Sequence, residues 1–355
     1  MNVYEPADDR SAWTPSDLED DRAWDVELSA SQASVILDAS AAAKRDGLQL
    51  AEIDRSRFPL PGCEAVTARI REQLKSGRGF ALLHGFPVQD IDLDDVERAY
   101  WGFCAHLGIG VTQNSGATLI HYVTEGRLRP NQGTRGVGDP GKVSLHVDLA
   151  DVATLLCIRQ PEDSPPSRLA SSTAVYNALL ADHPDALARL TDGFIWDRQN
   201  EHDASETPTS AYKVPVFSAA DGKISCRYNR NWITKAANRN GGFSAEDEAL
   251  LDLFDETADR LAFDFPFNPG DVQFVNNYTC LHGRAPHRPA ESEETTRLLM
   301  RIWFNTDGLR QWSDESIVRY GILRHGRLGW TGNDLLAGVE GRVHARRADG
   351  APVAA

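Results

Sequence analysis

The feature that most constrains the fold is a series of short, strand-like segments in the second half of the chain. Each is rich in β-branched and apolar residues and is bounded by turn residues. The clearest are Thr154 to Ile158, Lys213 to Phe217, Lys223 to Tyr228, Val272 to Val275 and Leu298 to Phe304. Asp221-Gly222 indicates a tight hairpin turn between the second and third of them. Many short strands joined by turns are typical of a sheet folded back on itself, such as a jelly roll.

Helical segments flank these strands. Apolar residues recur at helical spacing over residues 64–76, ahead of the apolar strand Phe80 to His84. Asp92 and Ser244 are predicted N-caps of two further amphipathic helices, which end near Leu107 and Phe263. We therefore predict a mixed α/β, mainly β fold, with a double-stranded β-helix (jelly roll, cupin-like) core and flanking helices.

One domain accounts for most of the chain, because no Pro/Gly/Ser-rich linker or repeat divides the region from about residue 60 to residue 312. We assign residues 26–312 to this domain. Residues 1–25 are rich in Asp, Glu, Ser and Pro and are predicted to form a mobile arm. Residues 313–355, which end in ADGAPVAA, are predicted to be a partly ordered extension.

The chain is acidic, with a formal net charge of −15. This charge disfavours nucleic acid and anionic membranes as partners, so a small molecule fits better. No apolar run reaches the roughly 20 residues that span a bilayer, and the acidic amino terminus is unlike a signal peptide. Five scattered cysteines without a C-x-x-C pair favour reduced thiols. We expect a cytoplasmic protein, and the sequence leaves its oligomeric state open.

A candidate metal site begins at His146 and Asp148. Their spacing in Ser-Leu-His-Val-Asp places both side chains on one face of a strand. With a distal imidazole they would form a two-histidine, one-carboxylate triad, and our candidate is His282, which follows the strand Val272 to Val275. The H-x-D pattern is weak by itself. A second copy, His183-Pro184-Asp185, lies between two short helical pieces and lacks the strand geometry.

The strand Arg297 to Phe304 supplies a second signal. Period-two geometry places Arg297, Leu299, Arg301 and Trp303 on one face and the apolar residues Leu298, Met300, Ile302 and Phe304 on the other. A buried guanidinium needs a carboxylate partner, and its planar shape suits two-point binding of one. A dicarboxylate ligand would be such a partner, although a surface salt bridge is the ordinary alternative.

These residues together resemble the taurine dioxygenase (TauD/TfdA) family and its clavaminate synthase-like relatives. The resemblance lies in His146-x-Asp148, in His282 after a Pro-Gly-Asp turn and strand, in Arg297 fifteen residues later, and in Thr173 twenty-seven residues after His146. GRGFALLHGFPV is also similar to the family's early core strand, so that the resemblance covers the chain from about Gly77 to Phe304.

The resemblance implies Fe(II) held by His146, Asp148 and His282, with 2-oxoglutarate and O2 as cosubstrates. The distal carboxylate of 2-oxoglutarate would bind Arg297 and Thr173. Family members that halogenate have Ala or Gly at the position of Asp148, so this chain resembles a hydroxylase; desaturation, ring closure and epoxidation stay open.

The resemblance does not carry over the family's substrate, for which an amino acid or specialised metabolite is our expectation. Arg301 matches the residue that binds the substrate's sulfonate in the taurine enzyme. The candidate substrate-binding residues are Arg301, Arg284, Tyr212, Arg227 and Asn114. Two other functions remain as alternatives. One is a metal hydrolase with the same ligands, and the other is a non-catalytic jelly-roll protein that binds a small molecule.

Overall fold

The computed structural model describes residues 4–114, 116–124, 141–161, 164–200, 207–210, 212–286, 292, 296–310, 329 and 331–336. Its α-helices are α1 (Pro15–Asp20), α2 (Ala30–Arg45), α3 (Glu64–Lys75), α4 (Leu93–Cys104), α5 (Ser172–Asp182), α6 (Pro184–Asp192), α7 (Arg230–Arg239), α8 (Ala245–Arg260) and α9 (Gly332–Leu336), and a 3-10 helix spans Leu50–Glu52. Its strands are β1 (Asp25–Glu27), β2 (Phe80–His84), β3 (Ile109–Val111), β4 (Ile120–Val123), β5 (Val143–His146), β6 (Val152–Arg159), β7 (Ser167–Ser171), β8 (Phe217–Ala220), β9 (Lys223–Cys226), β10 (Phe263–Phe265), β11 (Val272–Asn276), β12 (Cys280–Arg284) and β13 (Leu298–Asn305).

Two sheets form the core. The larger has the strand order β1-β2-β11-β6-β13-β3, with β4 also paired to β13, and the smaller has the order β10-β7-β12-β5. One buried cluster contains residues of both sheets, among them Phe80, Cys157 and Leu299 from the larger and Leu169 and Cys280 from the smaller. The predicted fold class, a jelly-roll core with flanking helices, is confirmed. Among the described residues no helix is both long and apolar enough to cross a membrane.

Strand β13 alternates as predicted. Its even-numbered residues belong to a buried hydrophobic cluster that also contains residues of α2, α3 and α4. They are Leu298, Met300, Ile302 and Phe304. Leu299 instead faces the space between the sheets, and Arg301 and Trp303 reach Asp148 from the same side of β13. The strand therefore separates an apolar outer layer from a polar interior face.

The predicted hairpin turn is present, but the strand before it is displaced. Asp221 and Gly222 both have positive φ, 48° and 72°, as a two-residue turn between β8 and β9 requires. The predicted strand Lys213 to Phe217 was wrong: β8 begins at its last residue, and before that Val214 makes only an isolated bridge. Pro215, which has no N–H to donate, explains the interruption.

The first 25 residues were predicted to be a mobile arm, which is wrong from residue 4 onward. Trp13 is fully buried against Phe80, with ring centroids 5.2 Å apart, and its indole N–H donates to the Arg78 carbonyl at 2.7 Å. Leu18 and Trp24 enter the same cluster. The prediction failed because it used the average composition, which is polar, although the three large apolar side chains of the segment are buried. Of the predicted extension after residue 312, only residue 329 and residues 331–336 are described, and α9 packs on the 3-10 helix.

His84, the last residue of β2, connects β1 to the turn before β11. Its Nε2 lies 2.8 Å from the Asp25 carboxylate and its Nδ1 lies 2.7 Å from the Asp271 carboxylate. The hydrogen bond to Asp271 and the two negative charges outweigh burial and raise the pKa of His84 to about 9. At neutral pH the ring is therefore an imidazolium between two carboxylates.

This pair of contacts predicts a pH-dependent stability. The pKa of His84 is higher in the folded chain than in the unfolded chain, so its stabilising effect is complete below about pH 6.5 and is lost as the pH rises through about 9. We expect the free energy of unfolding of the natural chain to fall by about 2 kcal/mol across that interval, after allowance for solvent screening. His84→Gln should lack this decline. Urea unfolding at pH 6.5 and 9.5 measures the free energy of unfolding of both proteins. An equal decline between the two pH values in both proteins would contradict the assignment.

Candidate metal centre

Three predicted ligands meet between β5 and β12. His146 and His282 are direct partners across the two strands, and their ring centroids are 4.4 Å apart. Asp148 follows in the loop after β5; its Oδ1 lies 3.9 Å from His146 Nε2 and its Oδ2 lies 3.6 Å from His282 Nε2. One ligand atom from each of the three residues lies within 4.8 Å of the others. The structure thus brings the three together in a largely buried space.

Asn277 holds the loop that carries Asp148. Its side-chain oxygen accepts from the Asp148 amide at 2.9 Å, and its side-chain nitrogen donates to the Ala150 carbonyl at 2.9 Å. The Arg227 guanidinium donates to the carbonyls of Asn277 at 3.1 Å and Asp148 at 3.5 Å. Because Asn277 lies in the turn five residues before His282, it connects the two segments that carry the ligands. Sequence reasoning missed this role; the signal was a polar Asn-Asn pair between two apolar strands.

The protonation of the site suits a cation. His146 Nδ1 donates to the Ser144 carbonyl at 2.8 Å, which leaves the Nε2 lone pair directed at the other two ligands. Burial and the adjacent His282 lower the pKa of His146 to about 4, so that this ring is neutral at pH 7. Burial alone would raise the pKa of Asp148, but Arg301 and the two imidazoles hold it well below its usual range. Neutral imidazole and ionised carboxylate are the forms that bind divalent metals.

Arg301 lies against this carboxylate. Its Nη1 is 3.3 Å from Asp148 Oδ2, its Nε donates to Gln113 Oε1 at 2.8 Å, and its guanidinium lies over the Trp303 ring at 4.8 Å. The Trp303 indole N–H donates to the same Asp148 oxygen at 2.8 Å. Arg301, predicted to bind substrate, therefore has a metal-ligand candidate as a direct partner.

Arg297 is a buried cation that directly precedes β13 and lies near Arg284 at the end of β12. It is 8% exposed, and its one hydrogen bond within the described residues runs from Nε to Gln160 Oε1 at 2.8 Å. No carboxylate of the described chain forms an ion pair with it. Burial and the nearby Arg284 lower its pKa to about 10, so it stays charged at neutral pH. A buried guanidinium without a protein anion is a favourable place for an anionic ligand.

The structure does not bring Thr173 to Arg297. Its hydroxyl lies 2.8 Å from that of Ser11, at the start of α5 and beyond the β7 residue that pairs with Cys280. Arg284, the neighbour of Arg297, pairs with Ser167 at the opposite end of β7. His282 pairs with Leu169, midway along β7, so Thr173 and Ser167 lie toward opposite ends of this strand. Ser167 is 3% exposed and its hydroxyl makes no hydrogen bond in the described part of the chain.

The remaining predicted residues divide by burial. Arg227, Arg284 and Asn114 are all buried, and the Asn114 side chain bonds to Thr118. Tyr212 is 63% exposed, so its side chain is turned to solvent rather than enclosed with the metal ligands.

A second group of possible ligands exists among the described residues. It consists of Asp25, Glu27 and His84. Both ring nitrogens of His84 are already held by carboxylates, and its raised pKa makes it a cation at pH 7. A protonated imidazole has no lone pair for a metal. The interior group is therefore the candidate metal centre.

A jelly roll whose neighbouring strands present two histidines and one carboxylate defines a class of metal-dependent enzymes. The chain belongs to the taurine catabolism dioxygenase TauD, TfdA family, whose model matches residues 46–303. It is accordingly a dioxygenase. It is 31% identical over 329 residues to FR-33289 synthase of Streptomyces rubellomurinus, covering 90% of this chain and 96% of that protein. It is 27% identical over 307 residues to the taurine hydroxylase-like protein SAT17 of Stachybotrys chartarum, covering 83% of this chain and 78% of that protein.

Solved structures share the fold. An asparagine oxygenase in complex with Fe(II), 2S,3S-3-hydroxyasparagine and succinate matches with a TM-score of 0.61 at 17% identity, covering 80% of this chain and 94% of that one. The non-heme iron oxygenase OrfP, in complex with Fe, succinate and (3S)-hydroxy-L-Arg, matches with a TM-score of 0.61 at 16% identity, covering 86% and 99%.

Proposed function

We propose that this dioxygenase binds Fe(II) through His146, Asp148 and His282 and uses 2-oxoglutarate and O2 to oxidise a C–H bond of a small molecule. Succinate and CO2 are the products of the cosubstrate. The observation that carries the proposal is the meeting of these three side chains on neighbouring strands, with ligand atoms within 4.8 Å of one another. Two nitrogens, one oxygen and an open side are the donor set of a two-histidine, one-carboxylate iron centre.

Arg297, which has no carboxylate partner among the residues that the structure describes, supports the choice of a dicarboxylate cosubstrate. Bound iron would supply oxygen activation, while the protein's residues orient the cosubstrate and keep water out of the cavity. We propose that Arg297 and Ser167 bind the distal carboxylate of 2-oxoglutarate. Both lie near Arg284, which interacts with Arg297 and pairs with Ser167 at one end of β7 and β12. A metal hydrolase would give Arg297 no role, so the oxygenase is favoured.

For the substrate we propose an amino acid or a specialised metabolite. The solved relatives carry hydroxylated asparagine and hydroxylated arginine, and one relative is a synthase of a Streptomyces compound. The retained carboxylate of Asp148 supports hydroxylation as the reaction. We further propose that the protein acts in the cytoplasm, a reducing compartment in which its five buried cysteines would stay free.

The test begins with purified apo-protein under anaerobic conditions. Adding Fe(II) and 2-oxoglutarate together should give the weak visible charge-transfer band of the chelated keto acid, and neither addition alone should give it. Small-molecule pools, with amino acids first, are then screened for substrate-stimulated succinate formation in air. Absence of the band at saturating Fe(II) and 2-oxoglutarate would contradict the proposal, and a band without turnover on any pool would favour a binding protein.

A further inference from the structure

The two oxygens of the Asp148 carboxylate are in different states. Oδ2 accepts a hydrogen bond from the Trp303 indole at 2.8 Å and another from Arg301 Nη1 at 3.3 Å. Oδ1 has no hydrogen-bond donor in the described residues, and it lies 3.9 Å from His146 Nε2. Oδ2 is therefore held by β13 and also lies 3.6 Å from His282 Nε2, while Oδ1 faces His146 without a donor of its own among the described residues.

Trp303 is well fixed for this contact. It is 2% exposed and lies in β13 opposite Val111 of β3 and Ala153 of β6. Its ring packs in the buried cluster that contains Leu145 and Val147, the residues on either side of His146. An indole has a single polar hydrogen, and a buried ring cannot turn it elsewhere without disturbing the packing around it.

We propose that Trp303 is a positioning residue of the metal centre. Its indole N–H holds Oδ2, so that the Asp148 carboxylate is oriented before a metal binds. A carboxylate that can rotate loses that freedom when it binds a metal, so a hydrogen bond that fixes it beforehand strengthens metal binding. This inference depends on the proposed function, because it concerns the same metal centre. It assigns a task to a residue that touches a ligand rather than the metal.

The direct test is metal affinity, with no turnover required. Trp303→Phe keeps an aromatic ring for packing and for the contact with Arg301 but removes the N–H. We expect the affinity of the apo-protein for Co(II), measured by isothermal titration calorimetry, to fall roughly tenfold, the lower end of the range for lost hydrogen bonds to metal ligands. If the smaller ring of Trp303→Phe impairs folding, a second variant replaces Trp303 by 3-benzothienylalanine, which exchanges N–H for sulfur at nearly constant volume. This variant should show the same loss of Co(II) affinity.

Trp101→Phe is the matched control. Trp101 is also buried, at 4% exposure, and its indole N–H donates to the Ile53 carbonyl at 3.3 Å, on α4 away from the metal ligands. Its variant should bind Co(II) as the natural chain does. Equal Co(II) affinity in the natural chain and the Trp303 variants would overturn the inference, as would an equal loss in the Trp101 variant. If the natural chain itself binds no Co(II), the proposed function fails instead.

Discussion

Asp148→Ala should lose metal binding and, with it, the visible band of the Fe(II) and 2-oxoglutarate complex. The substitution removes the one anionic ligand and leaves two imidazoles beside the Arg301 cation, which then repels a metal without compensation. Loss of a mere hydrogen bond to a ligand costs roughly 10- to 100-fold in metal affinity, so loss of the ligand should cost more than about 100-fold. Calorimetric titration of the apo-protein with Co(II) or Mn(II) measures this.

The chain supplies its own control for this variant. His183-x-Asp185 repeats the H-x-D pattern, but His183 lies between α5 and α6 and Asp185 is an exposed residue in the first turn of α6. Asp185→Ala should leave metal affinity and turnover unchanged and should cost only the few tenths of a kcal/mol expected for a charge at a helix N-terminus. If both variants lost metal equally, or if Asp148→Ala kept it, the ligand assignment would be wrong.

The meeting of the three proposed metal ligands could be predicted from sequence because each belongs to a local pattern. His146 and Asp148 are close in the chain, and His282 follows an apolar strand that had to lie beside another strand of the core. Asp148 lies past the end of β5, so its backbone is held by the Asn277 side chain rather than by strand pairing. That contact spans 129 residues, and no local pattern contains it.

The errors share a cause. Thr173 was chosen by counting along the chain, whereas the diacid site that we propose depends on the register between β7 and β12, which pairs Ser167 with Arg284. The amino-terminal arm was judged by its average composition, whereas burial depends on where Trp13 and its apolar neighbours face. Tyr212 was a candidate by residue type alone, and its exposure is set by tertiary structure. Hydrophobic periodicity and turn residues can be read from neighbouring residues in the chain. The register between strands and the burial of a side chain depend on residues that are distant in sequence.

Arg297→Met should raise the 2-oxoglutarate concentration needed for half-saturation by about 10- to 100-fold, because a hydrogen-bonded contact to a charged group contributes about 1.5 to 3 kcal/mol. Metal affinity should hold, since Arg297 contacts none of the three ligands in the described chain. The measurement is an anaerobic 2-oxoglutarate titration of the Fe(II) protein, followed by its visible band. Arg159→Met is the control, because Arg159 lies at the same end of the sheet and donates to the Thr296 carbonyl.

A pair of hydroxyl variants completes this prediction and tests the register on which it depends. Ser167→Ala should weaken 2-oxoglutarate binding by about 3- to 10-fold, the effect of one neutral hydrogen bond. Thr173→Ala, which loses its contact with Ser11 at the far end of β7, should leave 2-oxoglutarate affinity unchanged. The reverse result would restore Thr173 as the cosubstrate residue. Unaltered 2-oxoglutarate affinity in Arg297→Met would contradict the proposed dicarboxylate site, because it would show that this buried cation does not bind the cosubstrate.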